Sequence, residues 1–163
     1  VRTAICPGTY DPVTVGHLDI ITRCAKKFEA VYVAVIRDAF RKNTLFSIEE
    51  RLDFLEESTA PLPNVSVVIL EGLVVKLAQE LGADAMVKGL RAVTDFEYEF
   101  QMAQLNKKLD PSLETVYMMA SPAYSFLSSS GVKEIARFGG CVDDLVPGHV
   151  AERFADIYPR VEA

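Results

Sequence analysis

The sequence predicts an α/β fold, with a five-stranded parallel sheet and helices on both faces. Three observations carry this. β-prone apolar runs alternate with segments of helical periodicity along the chain. One run, 31–36, is apolar at nearly every position, as a strand covered on both faces would be. Each interval between runs is long enough for a helical crossover, so consecutive strands join as right-handed βαβ units.

Residues 3–6 form a short first strand that ends at Pro7-Gly8. Residues 16–28 follow as a helix, with Ile20, Ile21, Cys24 and Phe28 at helical spacing. After the strand 31–36 comes a helix over 47–59, opened by Ser47 and Glu50 as a capping box. The third strand is 65–70. The third helix, 72–81, repeats Leu73, Leu77 and Leu81 one turn apart and stops at Gly82. Residues 85–87 are the fourth strand. Thr94 with Glu97 caps a helix through Leu109, with Pro111 as its stop; Phe96, Phe100 and Ala103 on one face read as core. Residues 115–119 are the fifth strand. A serine-rich turn leads to a helix ending near Gly139-Gly140, and Pro147 opens the last one. No repeat or linker divides the chain, so 1–163 reads as a single Rossmann-like domain.

Composition narrows the function. The chain has 163 residues, half of them hydrophobic, a net charge of -6 and a pI near 5.0. This is globular composition, and it excludes a nucleic-acid surface or a basic membrane patch. No run approaches a membrane span, and no long apolar stretch precedes Pro7, which points to a cytoplasmic protein. Cys6, Cys24 and Cys141 are an odd set at wide spacing, read as reduced, small buried hydrophobes.

Ligands of such a sheet sit beyond the carboxyl ends of the strands, and the loops there carry the chemistry. The first loop contains Gly8, Thr9, Tyr10, Thr14, Gly16 and His17. His17 falls in a first helical turn, where unpaired N–H groups and the helix dipole already favour an anion. The fourth strand ends in Lys88, Gly89, Leu90 and Arg91, two cations about a glycine. Glu99 follows on the next helix, suited to a ribose or base or to solvent. The loop after the fifth strand brings Tyr124, Ser125, Phe126, Leu127, Ser128, Ser129, Ser130 and, one turn on, Lys133. Three consecutive serines exceed what one cap requires and suit a phosphate cradle. The second loop holds Arg37, Asp38, Arg41 and Lys42, and His149 reads as surface. The segments 37–42, 88–91 and 133–137 together carry +5 within the acidic whole.

These motifs resemble the nucleotidyltransferase superfamily with the His/Thr-x-Gly-His signature, and within it the bacterial phosphopantetheine adenylyltransferases. The resemblance covers nearly the whole chain. It rests on Pro-Gly-Thr-Tyr-Asp-Pro-Val-Thr-Val-Gly-His from Pro7, Lys-Gly-Leu-Arg-Ala from Lys88, Thr-Asp-Phe-Glu-Tyr-Glu from Thr94, and Tyr-Ser-Phe-Leu-Ser-Ser-Ser from Tyr124. It implies transfer of AMP from ATP to 4′-phosphopantetheine, with magnesium, giving dephospho-coenzyme A and pyrophosphate.

The resemblance makes His17 the transition-state stabiliser. It gives ATP to Thr9, Tyr10, His17, Gly89, Leu90, Arg91, Glu99 and the stretch Tyr124 to Ser130, and phosphopantetheine to Thr9, Val74, Lys88 and a second-loop lysine. It implies a homohexamer, and coenzyme A as a feedback ligand of the acceptor site. Two departures stand out. The family's Asn-Pro-x-Lys-like loop is replaced by Asp38-Ala39-Phe40-Arg41-Lys42, so Arg41 or Lys42 takes the second-loop role. Gly131 stands where the family often has a larger apolar residue. An attacking phosphate is already anionic, so this chemistry needs no covalent nucleophile, only alignment and charge stabilisation. A relative with another acceptor and a non-catalytic ATP sensor are the alternatives.

Overall fold

The computed structural model describes residues 2–38 and 43–161, except for the side chains of Val93 and Thr94. Five strands, β1 (Thr3–Gly8), β2 (Ala30–Ile36), β3 (Val65–Leu70), β4 (Ala85–Leu90) and β5 (Glu114–Met119), form one parallel sheet in the order β3-β2-β1-β4-β5. The connecting helices are α1 (Val15–Ala25), α2 (Ile48–Thr59), α3 (Val74–Leu81) and α4 (Val93–Leu109). A 3₁₀ turn (Pro122–Tyr124), α5 (Ser129–Arg137) and α6 (Gly148–Ile157) complete the chain order.

The period-2 alternation of the strands divides the core. Val33 and Val35 of β2 pack with Ile21 of α1, Phe54 and Leu55 of α2, Val132 and Ala136 of α5, and Val150 and Phe154 of α6. Ala34, with Ile5 and Met86, faces the other way onto Val75 and Ala78 of α3. Helices therefore cover both faces, as the unbroken apolar run of β2 requires. Phe46 is buried where Phe54 and Phe154 meet it edge-on, at ring-centroid distances of 5.1 and 5.3 Å.

Several ends fall elsewhere than the sequence suggests. β1 runs on to Gly8 because Pro7 and Gly8 still register with Ala34 and Val35. β4 runs on to Leu90, opposite Met119, so Lys88 and Gly89 belong to the strand. Ser47 caps α2 by accepting from the Glu50 N–H at 3.2 Å, but the Glu50 carboxylate turns to Arg153 at 2.7 Å, leaving half a capping box. α4 starts at Val93 with Ala92 as its cap residue, so Thr94 lies inside the helix. Gly82 ends α3 in the left-handed conformation at φ 64°, as expected of a glycine stop.

Three readings of side-chain environment are corrected. Phe96 and Phe100 are not core: about half of each is exposed, and their rings stack 5.9 Å apart on the outside of α4. Cys141 is exposed, whereas Cys6 and Cys24 are buried. His149 is half-buried against α2, its Nε2 3.0 Å from the Phe54 carbonyl and 3.3 Å from the Ser58 hydroxyl. The helical face alone does not distinguish these environments.

The strand order reverses direction between β1 and β4, the switch point of the sheet. These two strands register only at Ala4–Ala85 and Ile5–Met86. Beyond those pairs they part, and a cleft opens between Cys6-Pro7-Gly8 on one side and Val87-Lys88-Gly89 on the other.

A cationic cleft at the switch point

The cleft has a volume of about 520 Å³, within the usual range for a small-molecule site. Its floor is the carboxyl ends of β1 and β4, and its walls are the loops to α1 and α5.

The first wall is built by a turn through Tyr10, whose φ is 50°. Its ring lies under Gly8 so closely that a Cβ there would come within 2.9 Å of Tyr10 Cε2, which is why glycine occupies the position. The Tyr10 hydroxyl donates to the Cys6 carbonyl at 3.0 Å. Burial, then the neighbouring thiols Cys6 and Cys24, push this phenol well above its ordinary pKa. It therefore acts as a neutral donor that stiffens the loop. The edge of the ring also meets His17, with centroids 5.0 Å apart.

Thr14 and His17 close a reciprocal capping box on α1. The Thr14 hydroxyl accepts from the His17 N–H at 3.3 Å, and His17 Nδ1 accepts from the Thr14 N–H at 2.9 Å. Glutamate or glutamine is the usual partner in such a box. With histidine there, Nδ1 is fixed as an acceptor, so this hydrogen-bond pattern assigns the proton of the neutral ring to Nε2. The Thr-x-Gly-His spacing thus sets both position and tautomer.

Asp11 is buried, and its carboxylate accepts from the N–H groups of Leu45 and Phe46, each at 2.9 Å. Lys133 of α5 donates to it at 2.7 Å across the cleft. At the β4 side of the floor, Lys88 Nζ lies 2.6 Å from Glu99 Oε2. This is an ion pair without a directed hydrogen bond, and that buried oxygen has no hydrogen-bond partner among the described residues. Arg91 donates to the Leu127 carbonyl at 2.8 Å and to Asp95 at 3.1 Å, joining the β4 edge to the serine-rich turn. Gly89 packs on α1, where a Cβ would sit 3.2 Å from Ile20 Cγ1.

The serines divide their tasks. Ser128 caps α5 by accepting from the Gly131 N–H at 3.0 Å. Ser129 donates to the Pro12 carbonyl at 2.8 Å, tying the turn to the first wall. Ser130 lines the cleft beside them. The starts of α1 and α5 both belong to the lining, so two helix N-termini face the same space.

Of the residues expected at the site, Thr9, Tyr10, His17, Lys88, Gly89, Arg91, Tyr124, Leu127, Ser128, Ser129 and Ser130 line this cleft. Leu90, Glu99, Ser125, Phe126 and Val74 lie outside the lining. Phe126 is largely exposed, Ser125 donates to the Pro122 carbonyl, and Val74 packs with the α3 face of the core. Arg41 and Lys42 lie outside the described residues. Sequence reasoning missed Asp11 and Asn43, which line the cleft, and Arg51, which stands behind it. Arg51 left one legible trace, a charge one turn from Ile48 and Leu55 on the apolar face of α2.

A family model described as cytidylyltransferase-like matches residues 5–135. A phosphopantetheine adenylyltransferase of Caldanaerobacter subterraneus subsp. tengcongensis is 53% identical over 160 residues, covering 98% of this chain and 99% of its own. One of Rubrobacter xylanophilus is 54% identical over 98% of this chain and 97% of its own. The chain belongs to the phosphopantetheine adenylyltransferase family. It is a nucleotidyltransferase, and the similarity to these phosphopantetheine adenylyltransferases extends through all the loops of the cleft. A Vibrio parahaemolyticus protein assigned as a nicotinate-nucleotide adenylyltransferase shares the fold, with a TM-score of 0.73 at 16% identity over 95% of this chain and 92% of its own.

Proposed function

We propose that the cleft binds ATP and 4′-phosphopantetheine and transfers AMP from the first to the second, forming dephospho-coenzyme A and pyrophosphate. The observation that carries this reading is the convergence of a tautomer-fixed histidine with Lys88, Arg91 and Lys133 at one switch-point cleft. A phosphate oxygen of the acceptor attacks the α-phosphorus, and the bond from that phosphorus to the β-bridging oxygen breaks as pyrophosphate leaves. His17 donates from Nε2 to the α-phosphate, where negative charge concentrates in the transition state. Arg91, Lys133, Ser130 and the N-termini of α1 and α5 take the β- and γ-phosphates. Lys88 and Thr9, with the second-loop Arg41 or Lys42, hold the phosphate of the acceptor. Lys88 sits at the boundary of the two substrates and brings their like charges within reach of each other.

The remaining expected contacts, Leu90, Glu99, Ser125 and Phe126 to ATP and Val74 to phosphopantetheine, belong to the same proposal and require substrate beyond the cleft lining. Magnesium fits this donor set as a substrate-borne ion. The Asp11 carboxylate is engaged by Lys133 and two N–H groups, so phosphate oxygens and water, more than protein side chains, would hold a bound magnesium. There it would neutralise charge on the departing pyrophosphate.

The exposed apolar side chains Phe96, Tyr98, Phe100, Leu105 and Leu109 along α4, with Met119 of β5, support self-association as the homohexamer the resemblance implies. Coenzyme A, which contains the phosphopantetheine arm, is the matching feedback ligand. No helix among the described residues is long and apolar enough to cross a membrane; a cytoplasmic location belongs to the same proposal.

The reverse direction tests the acceptor. Dephospho-coenzyme A and pyrophosphate with magnesium should yield ATP in a luminescent assay. Replacing dephospho-coenzyme A by nicotinate adenine dinucleotide should give no ATP, and a cytidylyl ester with pyrophosphate should give no CTP; nucleoside triphosphate formed from one of those instead would overturn the acceptor assignment.

A further inference from the structure

Arg51 is only 2% exposed, and no carboxylate is hydrogen-bonded to it among the described residues. Its guanidinium serves four backbone carbonyls instead. Nη1 donates to Thr9 at 2.9 Å and to Ile36 at 2.8 Å, Nη2 donates to Arg37 at 3.2 Å, and Nε donates to Phe46 at 3.2 Å. Such a site costs desolvation, and burial pushes the Arg51 pKa down from the ordinary arginine range despite Asp11, Asp38 and Glu49 nearby. A side chain serving only to fill the apolar face of α2 would not need five donors in a planar fork.

The four acceptors form a pattern. Ile36 and Arg37 lie where the chain leaves β2, and Phe46 lies where it returns to α2. The stretch between them carries Arg41 and Lys42 in the sequence. Thr9 lies on the facing wall of the cleft. Asp11 adds a second tie, accepting from Leu45 and Phe46 N–H groups at the returning end. Of the residues expected to meet ATP, Thr9, shared with the acceptor, receives a hydrogen bond from Arg51, whereas His17, Gly89, Arg91 and Ser128 to Ser130 receive none.

We infer that Arg51 is a positioning residue for the acceptor half of the reaction: one buried guanidinium clamps both ends of the second loop to the Thr9 wall. The inference rests on the proposed function, since it takes phosphopantetheine as the ligand of Thr9 and the second-loop cation. Arg51 touches neither substrate. It fixes the described ends of the second loop against Thr9, so losing it loosens acceptor alignment far more than the nucleotide site, whose other residues it does not touch.

The test compares wild type with Arg51→Lys, which keeps the charge but cannot span four carbonyls from one ammonium. KM for 4′-phosphopantetheine should rise by about tenfold or more, while KM for ATP changes by less than about twofold. In Arg51→Ala, low-millimolar guanidinium should restore acceptor KM by about threefold or more, as a merely destabilised fold would not. Equal rises in both KM values, or an unchanged acceptor KM, would overturn the role. Should neither variant fold, hydrogen exchange on wild type decides. Phosphopantetheine alone should slow exchange at the Leu45 and Phe46 amides, and ATP alone should not; equal slowing by both, or none by the acceptor, would overturn the inference. Wild type that makes no dephospho-coenzyme A overturns the proposed function itself, whereas active wild type with a proportionate Arg51→Lys overturns only the clamp.

Discussion

His17 does two jobs with one ring. Nδ1 completes the cap of α1, and the same bond leaves the proton of the neutral ring on Nε2, which the proposed mechanism uses. His17→Ala should lower kcat by at least about tenfold, or ~1.4 kcal/mol of transition-state stabilisation, with a much smaller change in ATP affinity. Steady-state kinetics beside equilibrium ATP binding checks this, and unchanged turnover would remove His17 from the chemistry. His17→Gln is the sharper probe, because its amide can take the capping half alone; helix stability should survive and turnover should not. The sequence pattern located His17, Lys88 and Arg91 because each stands in a motif at a strand end. It did not reveal Asp11 as a buried acceptor or Arg51 as a clamp. The partners of Asp11 are N–H groups 34 and 35 residues away and the Lys133 ammonium 122 residues away, and those of Arg51 are carbonyls 5 to 42 residues away, all brought together only by the fold. Nor did it show that the hydroxyls of Tyr10 and Ser129 are given to the Cys6 and Pro12 carbonyls.

Among the elements, α5 and the α3–β5 junction carry separable predictions. Ser128 is the side-chain cap of α5, so Ser128→Ala should cost about 1 kcal/mol, read as a lowered urea midpoint at unchanged slope. Asp110 accepts from the Ser112 hydroxyl at 2.6 Å, the Ser112 N–H at 3.0 Å and Gln79 at 3.1 Å. These bonds, the Ser112 hydroxyl foremost, hold its carboxyl below the usual range. A depressed folded-state pKa stabilises above the unfolded value and is lost as pH falls. The Tm advantage of wild type over Asp110→Asn should therefore be full at neutral pH and shrink below about pH 4. A gap that widens there would contradict the assignment. The five strands, the helices between them and their two-sided packing were legible because β2 is apolar on both faces and the helices keep their period; the strand order was not. The ends were less so. β1 and β4 continue through Pro7-Gly8 and Lys88-Gly89 because neighbouring strands pair with them, and glycine and proline hid that continuation. Helical spacing grouped Phe96 with Phe100 correctly on one face of α4, but spacing carries no information about whether that face meets this chain or another.

At the scale of the whole molecule, the net charge of -6 encloses a cleft whose described lining includes Lys88, Arg91 and Lys133. The potential of that lining favours two phosphorylated small molecules over a polymer, and its effect on acceptor KM should weaken as salt screens it. The outer face of α4 belongs to the same scale. Leu105→Glu places a charge among Tyr98, Phe100 and Leu109, and light scattering should show the proposed assembly dissociating towards protomers with the melting curve of the protomer retained. Wild type already monomeric at micromolar concentration would contradict that assembly. The central claim is transfer of AMP to a phosphorylated acceptor in the switch-point cleft. Its most direct test is release of pyrophosphate from ATP with magnesium, measured with and without 4′-phosphopantetheine. The account predicts release that requires the acceptor and matches dephospho-coenzyme A formed one for one. Folded protein that releases no pyrophosphate, or releases it equally without the acceptor, would contradict it.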